Sequence, residues 1–297
     1  MKEKILITGY NGALARRLVH FLNDNYSLVF LSSSKKSVNN KDVFYWNTEE
    51  GYIDESALIG CQHIIHLCGY NIINRWSKKN IQKMHTSRID TSNLLFEKCK
   101  SLNQNIKTFV SASAMGYYGL GVEKDVDENH PPGNDWLAKL VVDWESASNQ
   151  FEKLGTRVVN LRISLMMDLN SGFLKVTLFP LKFGITSVFI PSNLSYSWIH
   201  IDDLSRFIKF SIETTSVSGP YNMASPKKQT QYEVIREIRQ CIFKYAIIFP
   251  VPIFLVKVFL GGRSQLVKGG LHLKVDKLLN SGFKHSFTTI SSFLLNK

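Results

Sequence analysis

The feature that most constrains the fold is a glycine turn near the start of the chain. An apolar run, Ile5-Leu6-Ile7, ends in Thr8-Gly9-Tyr10-Asn11-Gly12-Ala13-Leu14-Ala15 and passes straight into a helical pattern from Ala13 to Leu22. Gly9 permits the tight turn, and Gly12 lets the backbone come close to a diphosphate. The helix start behind them offers free N–H groups and its positive dipole end. Ala15 stands where helix packs on strand, a place that tolerates a methyl group. A strand, this turn and a helix in direct succession predict a dinucleotide-binding segment made by Thr8, Gly9, Asn11, Gly12, Ala13 and Leu14.

The rest of the first half repeats the strand-and-helix rhythm. Leu28-Val29-Phe30-Leu31, Ile64-Ile65-His66-Leu67, Thr108-Phe109-Val110 and Arg157-Val158-Val159-Asn160-Leu161 have strand length. Helical patterns over Lys78–Cys99 and Trp136–Leu154 separate them. Strand-length runs without period-2 alternation indicate strands covered on both faces, hence an α/β fold with a Rossmann-type doubly wound parallel sheet. The expected division is a dinucleotide-binding domain over 1–162, with 198–224 returning to it. A smaller, mostly helical C-terminal cap over 163–197 and 225–297 would bind substrate. The stretch Tyr245 to Leu260 is too short to span a bilayer comfortably and carries Pro250, Pro252 and Lys257, so it reads as a buried turn and helix of that cap.

Composition narrows the classes further. Apolar residues make up 44% and charged residues 20% of the chain, values of an ordinary globular protein. The net charge of +12 is dispersed and no nucleic-acid motif accompanies it, so it reads as a solvated excess and no nucleic-acid partner is expected. Four scattered cysteines form no C-x-x-C, which points to a reducing, cytoplasmic setting; the first residues do not read as a signal peptide. No membrane span is expected, and a protein partner or a homodimer remains open.

The end of the second strand sets ribose specificity. Here Leu31-Ser32-Ser33-Ser34-Lys35-Lys36 has no Asp or Glu to chelate two ribose hydroxyls. Hydroxyls plus lysines suit a 2′-phosphate, so NADP is expected through Ser32 and Ser33, with NAD the second choice; a solvated basic turn is the plain alternative.

In order, the chain carries Thr8-Gly9-x-x-Gly12, His66-Leu67-Cys68-Gly69, Arg75-Trp76, Ser87-Arg88-Ile89-x-Thr91 and Ser111-Ala112-Ser113-Ala114-Met115-Gly116-Tyr117-Tyr118-Gly119. Trp144-Glu145, Leu161-Arg162, Ser197-Trp198-Ile199-His200-Ile201-Asp202-Asp203-Leu204 and Gly219-Pro220-Tyr221-Asn222-x-Ala224-x-Pro226 follow. This set resembles the atypical extended short-chain dehydrogenase/reductases, the NAD-dependent epimerase/dehydratase-like proteins also called cell-division-inhibitor-like. The resemblance runs from the first strand to Gly282-Phe283. It implies that Leu67 and Cys68 line the dinucleotide, that Arg88 reaches toward a cofactor oxygen, and that Met166 lies near the nicotinamide end. The chain departs from the pattern at Ser33, Gln62, Cys68, Ser164 and the thinned glycine segment 168–172.

Hydride transfer in short-chain reductases uses a Tyr-x-x-x-Lys pair, the lysine lowering the tyrosine pKa. None of the 11 tyrosines has a lysine four residues on. With Glu145 as anchor, Leu137 and Val141 fall where the pair belongs. Ser113 is kept at the substrate-orienting position, and Tyr117 is the candidate substitute acid, against a plain reading of Tyr117-Tyr118 as loop packing. Asp202 or Asp203 reads as a helix N-cap and His200 as a structural histidine. Glu123, Asp125, Asp127 and Glu128 read as a solvated acidic loop, not a metal site. No Gly-x-Ser-x-Gly, Gly-Lys-Ser/Thr or His-Glu-x-x-His occurs. Two readings stand: an oxidoreductase or epimerase with a non-standard proton donor acting on an unknown small molecule, or a non-catalytic NADP-sensing protein.

Overall fold

The computed structural model describes residues 2–295. The first elements are β1 (Lys4–Thr8), α1 (Ala13–Leu22), β2 (Ser27–Ser32), β3 (Val43–Asn47), β4 (Tyr52–Ile53), β5 (Cys61–His66) and α2 (Lys78–Thr86). Then come α3 (Ile89–Ser101), β6 (Thr108–Ala114), β7 (Lys124–Val126), α4 (Trp136–Asn149), β8 (Arg157–Ile163), β9 (Leu165–Met167), α5 (Gly172–Leu181) and β10 (Ile185–Ile190). The chain continues through β11 (Trp198–His200), α6 (Ile201–Glu213), β12 (Gly219–Met223), α7 (Gln231–Ile242), β13 (Ile247–Pro252) and α8 (Ile253–Leu260). It closes with α9 (Ser264–Lys268), β14 (Leu271–Leu273), α10 (Asp276–Asn280) and α11 (Ile290–Leu294).

The main sheet has eight strands in the order β12-β8-β6-β5-β1-β2-β3-β4. β1 pairs in parallel with β2 on one side and β5 on the other, β2 with β3 and β5 with β6, while β4 closes the edge antiparallel to β3. The chain therefore winds outward from β1 in one direction and resumes at β5 in the other. That reversal is the point where ligands of doubly wound sheets bind, at the C-terminal ends of the strands. Ile5, Leu6 and Ile7 are wholly buried, as strands covered on both faces require. The doubly wound α/β fold expected from the periodicities is the fold found.

The chain divides into two compact units. One comprises Met1–Ala114, Lys139–Leu161 and Ser205–Tyr221; the other comprises Met115–Ala138, Arg162–Leu204 and Asn222–Lys297. The core of the first lies under the central strands, where Phe109 stacks on Phe151 at 4.0 Å between ring centres. The second is centred on Trp198, Val234, Ile238 and Phe293.

Four local expectations change. The helix expected over Lys78–Cys99 is two helices, α2 and α3, broken at Ser87-Arg88, where the Arg88 side chain folds back onto the Met84 carbonyl at 2.9 Å. That bond satisfies a carbonyl at the end of α2 that an unbroken helix would have paired internally. Val43–Asn47, which is not among the strand-length runs named above, is strand β3, with Val43 and Trp46 buried. The run Tyr245 to Leu260 is not the buried segment expected: apart from buried Ala246 it is exposed or half-buried, forming β13 and α8, and no residue of α8 is buried. Asp202 and Asp203 lie inside the first turn of α6 rather than capping it. The buried Asp203 carboxylate accepts the Ser286 and Phe287 N–H groups, both at 2.9 Å.

Candidate nucleotide site and the Ser113–Glu145 pair

The turn after β1 is built by its glycines. Gly9 has φ +76°, and a Cβ there would lie 3.1 Å from the backbone of Leu67 and Cys68, so only glycine suits both the angle and the approach. The Gly12 N–H closes the turn on the Gly9 carbonyl at 2.7 Å. Gly12 is also the N-cap of α1 and, having no side chain, caps nothing. The first N–H groups of α1 thus receive no side-chain cap; Asn11 and Gly12 beside them are exposed, while Leu14 and Ala15 are buried. Ala13 is half-buried. Such an end attracts an anion through its N–H groups and dipole.

A hydroxyl–imidazole chain fixes this turn to its neighbours. Thr8 Oγ1 accepts the N–H groups of Leu67 (3.0 Å) and Cys68 (3.2 Å), which leaves its proton for His66 Nδ1 at 3.0 Å. Thr91 Oγ1 donates to the Ser87 or Arg88 carbonyl, both at 2.9 Å, and accepts from His66 Nε2 at 3.2 Å. Donor accounting therefore assigns His66, which is fully buried, as the neutral Nε2–H tautomer. Cys68 Sγ donates to the Ser87 carbonyl at 3.4 Å.

The expected residues Thr8, Gly9, Leu67 and Cys68 are in this way brought into one cluster. Arg88 joins it from the α2–α3 break: its guanidinium donates to the carbonyls of Tyr70 (3.1 Å) and Met84, and lies 4.9 Å from the Trp144 ring centre. Burial pushes its pKa down to about 10, so it stays charged near neutrality. At the end of β2, Ser32 is buried and its hydroxyl accepts the Ser34 N–H at 3.2 Å, whereas Ser33, Lys35 and Lys36 beyond it are exposed.

Ser113, near the end of β6, is 3% exposed and donates its proton to Glu145 Oε1 of α4 at 2.6 Å. Glu145 is itself buried. The pair is a short hydrogen bond between two buried side chains. Glu145 was not among the expected catalytic residues; its only sequence signal was its place beside Trp144 in the motif. Val141, on the same helix, is buried and apolar.

In the other unit, Tyr117 is half-buried and the Arg162 guanidinium carbon lies 3.4 Å from its ring centre. Arg162 also donates to Tyr118 Oη at 3.0 Å, and Tyr118 donates to Asn222 at 2.6 Å; burial pushes the Tyr118 phenol up to about 12. Leu137 is buried and would touch any Cβ placed on Gly116. Met166 sits in β9, paired with Ile199 of β11. His200 accepts the Asp202 N–H at 3.2 Å and packs between Phe287 and Phe293, a structural setting. Of the acidic loop, Asp125 and Glu123 pair with Lys228 and Lys268, and Glu128 accepts the Asn222 N–H. No group of residues able to hold a metal occurs among the described residues.

A glycine turn leading to an uncapped helix start at the switch point of a doubly wound sheet defines the Rossmann-type class of α/β proteins. The description "NAD dependent epimerase/dehydratase family" matches residues 5–224, and the chain belongs to that family. It is 30% identical to an epimerase family protein of Staphylococcus haemolyticus over 97% of this chain and 96% of that one. It is 32% identical to one of Mycobacterium leprae over 88% and 84% respectively. Among solved structures, human epimerase family protein SDR39U1, determined with NADPH, superposes with a TM-score of 0.86 at 23% identity, covering 98% of this chain and 97% of that one. A UDP-N-acetylglucosamine 4-epimerase from Bacillus cereus gives 0.76 at 19% identity, covering 99% and 98%. These likenesses show the shared fold.

Proposed function

We propose that the chain binds NADP on the Thr8–Leu14 segment and is an oxidoreductase or epimerase in which Ser113 and Glu145 hold the transferred proton. The observation that carries this reading is the buried 2.6 Å bond between those two side chains. The uncapped start of α1 and the exposed Gly12 suit a diphosphate; Leu67, Cys68 and Arg88 are proposed further contacts of the dinucleotide, with Met166 near its nicotinamide end. Ser32, Ser33 and Lys35 support a 2′-phosphate over a bare ribose, and the human protein solved with NADPH favours the same choice.

When bound, a nicotinamide supplies the hydride acceptor or donor. The chain supplies the proton route. Ser113 Oγ, its own proton directed at Glu145, presents lone pairs to a substrate hydroxyl; as that hydroxyl gives up its proton to Ser113, the serine proton passes to Glu145. Tyr117, held by Arg162, is the second proposed proton donor. Residues 163–197 and 225–297 are the proposed substrate-binding part. The apolar Leu137 and Val141, standing where a Tyr-x-x-x-Lys pair belongs, favour a second reading in which the protein senses NADP without turnover.

NADPH and NADH titrations, followed by NADPH absorbance on addition of candidate carbonyl compounds, separate the two. Turnover that falls about 100-fold in Glu145→Gln, with NADPH affinity kept, supports the Ser113–Glu145 route. Tight NADPH binding without oxidation by any carbonyl supports sensing, and full activity in Glu145→Gln removes the pair from the chemistry.

A further inference from the structure

The second unit carries an exposed apolar surface. On α5 and just beyond it, Val176 (72% exposed), Phe179 and Phe183 (71%) point outward, the two phenylalanine rings 5.6 Å apart. The parallel ribbon of β10 and β13, with α5 packed against β10 and α8 against β13, adds to it. Ile185 sits opposite Ile247 and Ser187 opposite Phe249, all exposed, while Thr186 and Val188 on the other face are buried. β13 runs directly into α8, where Phe254, Leu255, Val258 and Phe259 are exposed, Phe259 to 83%. A patch of large apolar side chains on this scale marks a place of interaction.

Charge says with what. From Leu169 to Ile201 and again from Ile238 to Val275 the chain contains no Asp or Glu, yet exposed Lys175, Lys182, Lys244 and Lys257 stand within or beside the apolar elements. The nearest acids of α7 are engaged elsewhere: Glu233 with Thr230, and Glu237 with Gln229 and Ser291. A second copy of this face would bring lysines against lysines with no carboxylate to neutralise them. A headgroup layer of anionic lipid supplies both halves of the match, apolar depth for the phenylalanines and negative charge for the lysines.

We propose that this face, formed by α5, the outer side of β10–β13 and α8, docks peripherally on an anionic lipid surface. It lies in the unit that does not contain the Gly9–Gly12 turn, and the proposal stands apart from the reading of that turn.

The test is co-sedimentation of the full chain with vesicles of phosphatidylcholine alone and of phosphatidylcholine mixed with phosphatidylglycerol. Binding should require the anionic lipid, weaken with salt, and fall about ten-fold or more in Phe254→Asp/Phe259→Asp. Lys175→Glu/Lys182→Glu/Lys257→Glu, which leaves the apolar face intact, should abolish the preference for anionic vesicles. Both variants should keep the wild-type melting temperature and circular dichroism. Absence of binding to anionic vesicles at low salt overturns the proposal, and so does unchanged binding of the phenylalanine variant. A concentration-dependent dimer that the phenylalanine variant dissolves overturns it in favour of a second copy.

Discussion

At the residue scale, what each polar group already does limits what it can do for a ligand. The single Ser113 proton is directed at Glu145, so toward a third group the hydroxyl is an acceptor. Arg88 spends donors on the Tyr70 and Met84 carbonyls, which makes it a support of the loop after β5 as well as a fixed positive charge there. Gly12 has the opposite character: it offers backbone alone. Gly12→Asp would put a carboxylate where the diphosphate is proposed and a Cβ 3.0 Å from the Gly9 carbonyl. Dinucleotide affinity should drop about 100-fold, the cost of a like charge at an anion site. Calorimetric titration with NADPH checks this, and an unchanged affinity would move the site away from the turn.

At the scale of elements, the arrangement of β1, β5 and α3 depends on one hydroxyl. Thr8 accepts two backbone N–H groups after β5 and donates to His66, which in turn donates to Thr91 of α3. Thr8→Val keeps the shape and removes the oxygen. Two half-buried N–H groups and one buried imidazole nitrogen then lose a partner, a loss of roughly 1–3 kcal/mol by the usual cost of such groups. Chemical denaturation should show the lost stability, with weaker NADPH binding as the loop after β5 loosens. Stability within a few tenths of a kcal/mol of wild type would mean that water replaces the hydroxyl. The split of the expected Lys78–Cys99 helix belongs to this scale too. Helical periodicity continues through Ser87-Arg88, but the Arg88 side chain competes for the Met84 carbonyl and turns the chain.

At the scale of the whole molecule, buried His63 and half-buried His272 set a pH dependence. Burial pushes the imidazoles of His63 and His272 below the ordinary value, with Glu3, 3.0 Å from His63, pulling partly the other way. The unfolded chain thus takes up these protons first. Their contribution to stability is complete above the unfolded value of about 6.5 and is lost as pH falls through it toward the lower folded values. The melting temperature should decline between about pH 7.5 and 5.5, and His63→Gln should flatten that decline. An equal slope in the variant would assign the effect to other groups.

The local patterns of this chain determined a good deal. Helix α1 begins and ends where its apolar spacing says, the central strands are the apolar runs, and the glycine turn announces itself through two residues three apart. Each of these depends on backbone geometry or on periodicity within a few residues, which a linear reading contains. Tertiary structure alone decided that Ser113 meets Glu145, that Thr8 meets His66, and that α8 lies exposed although its composition reads as core. Hydrogen bonds between segments 32 and 58 residues apart, and the burial of an apolar helix, depend on which distant surfaces come together. No local pattern carries that information.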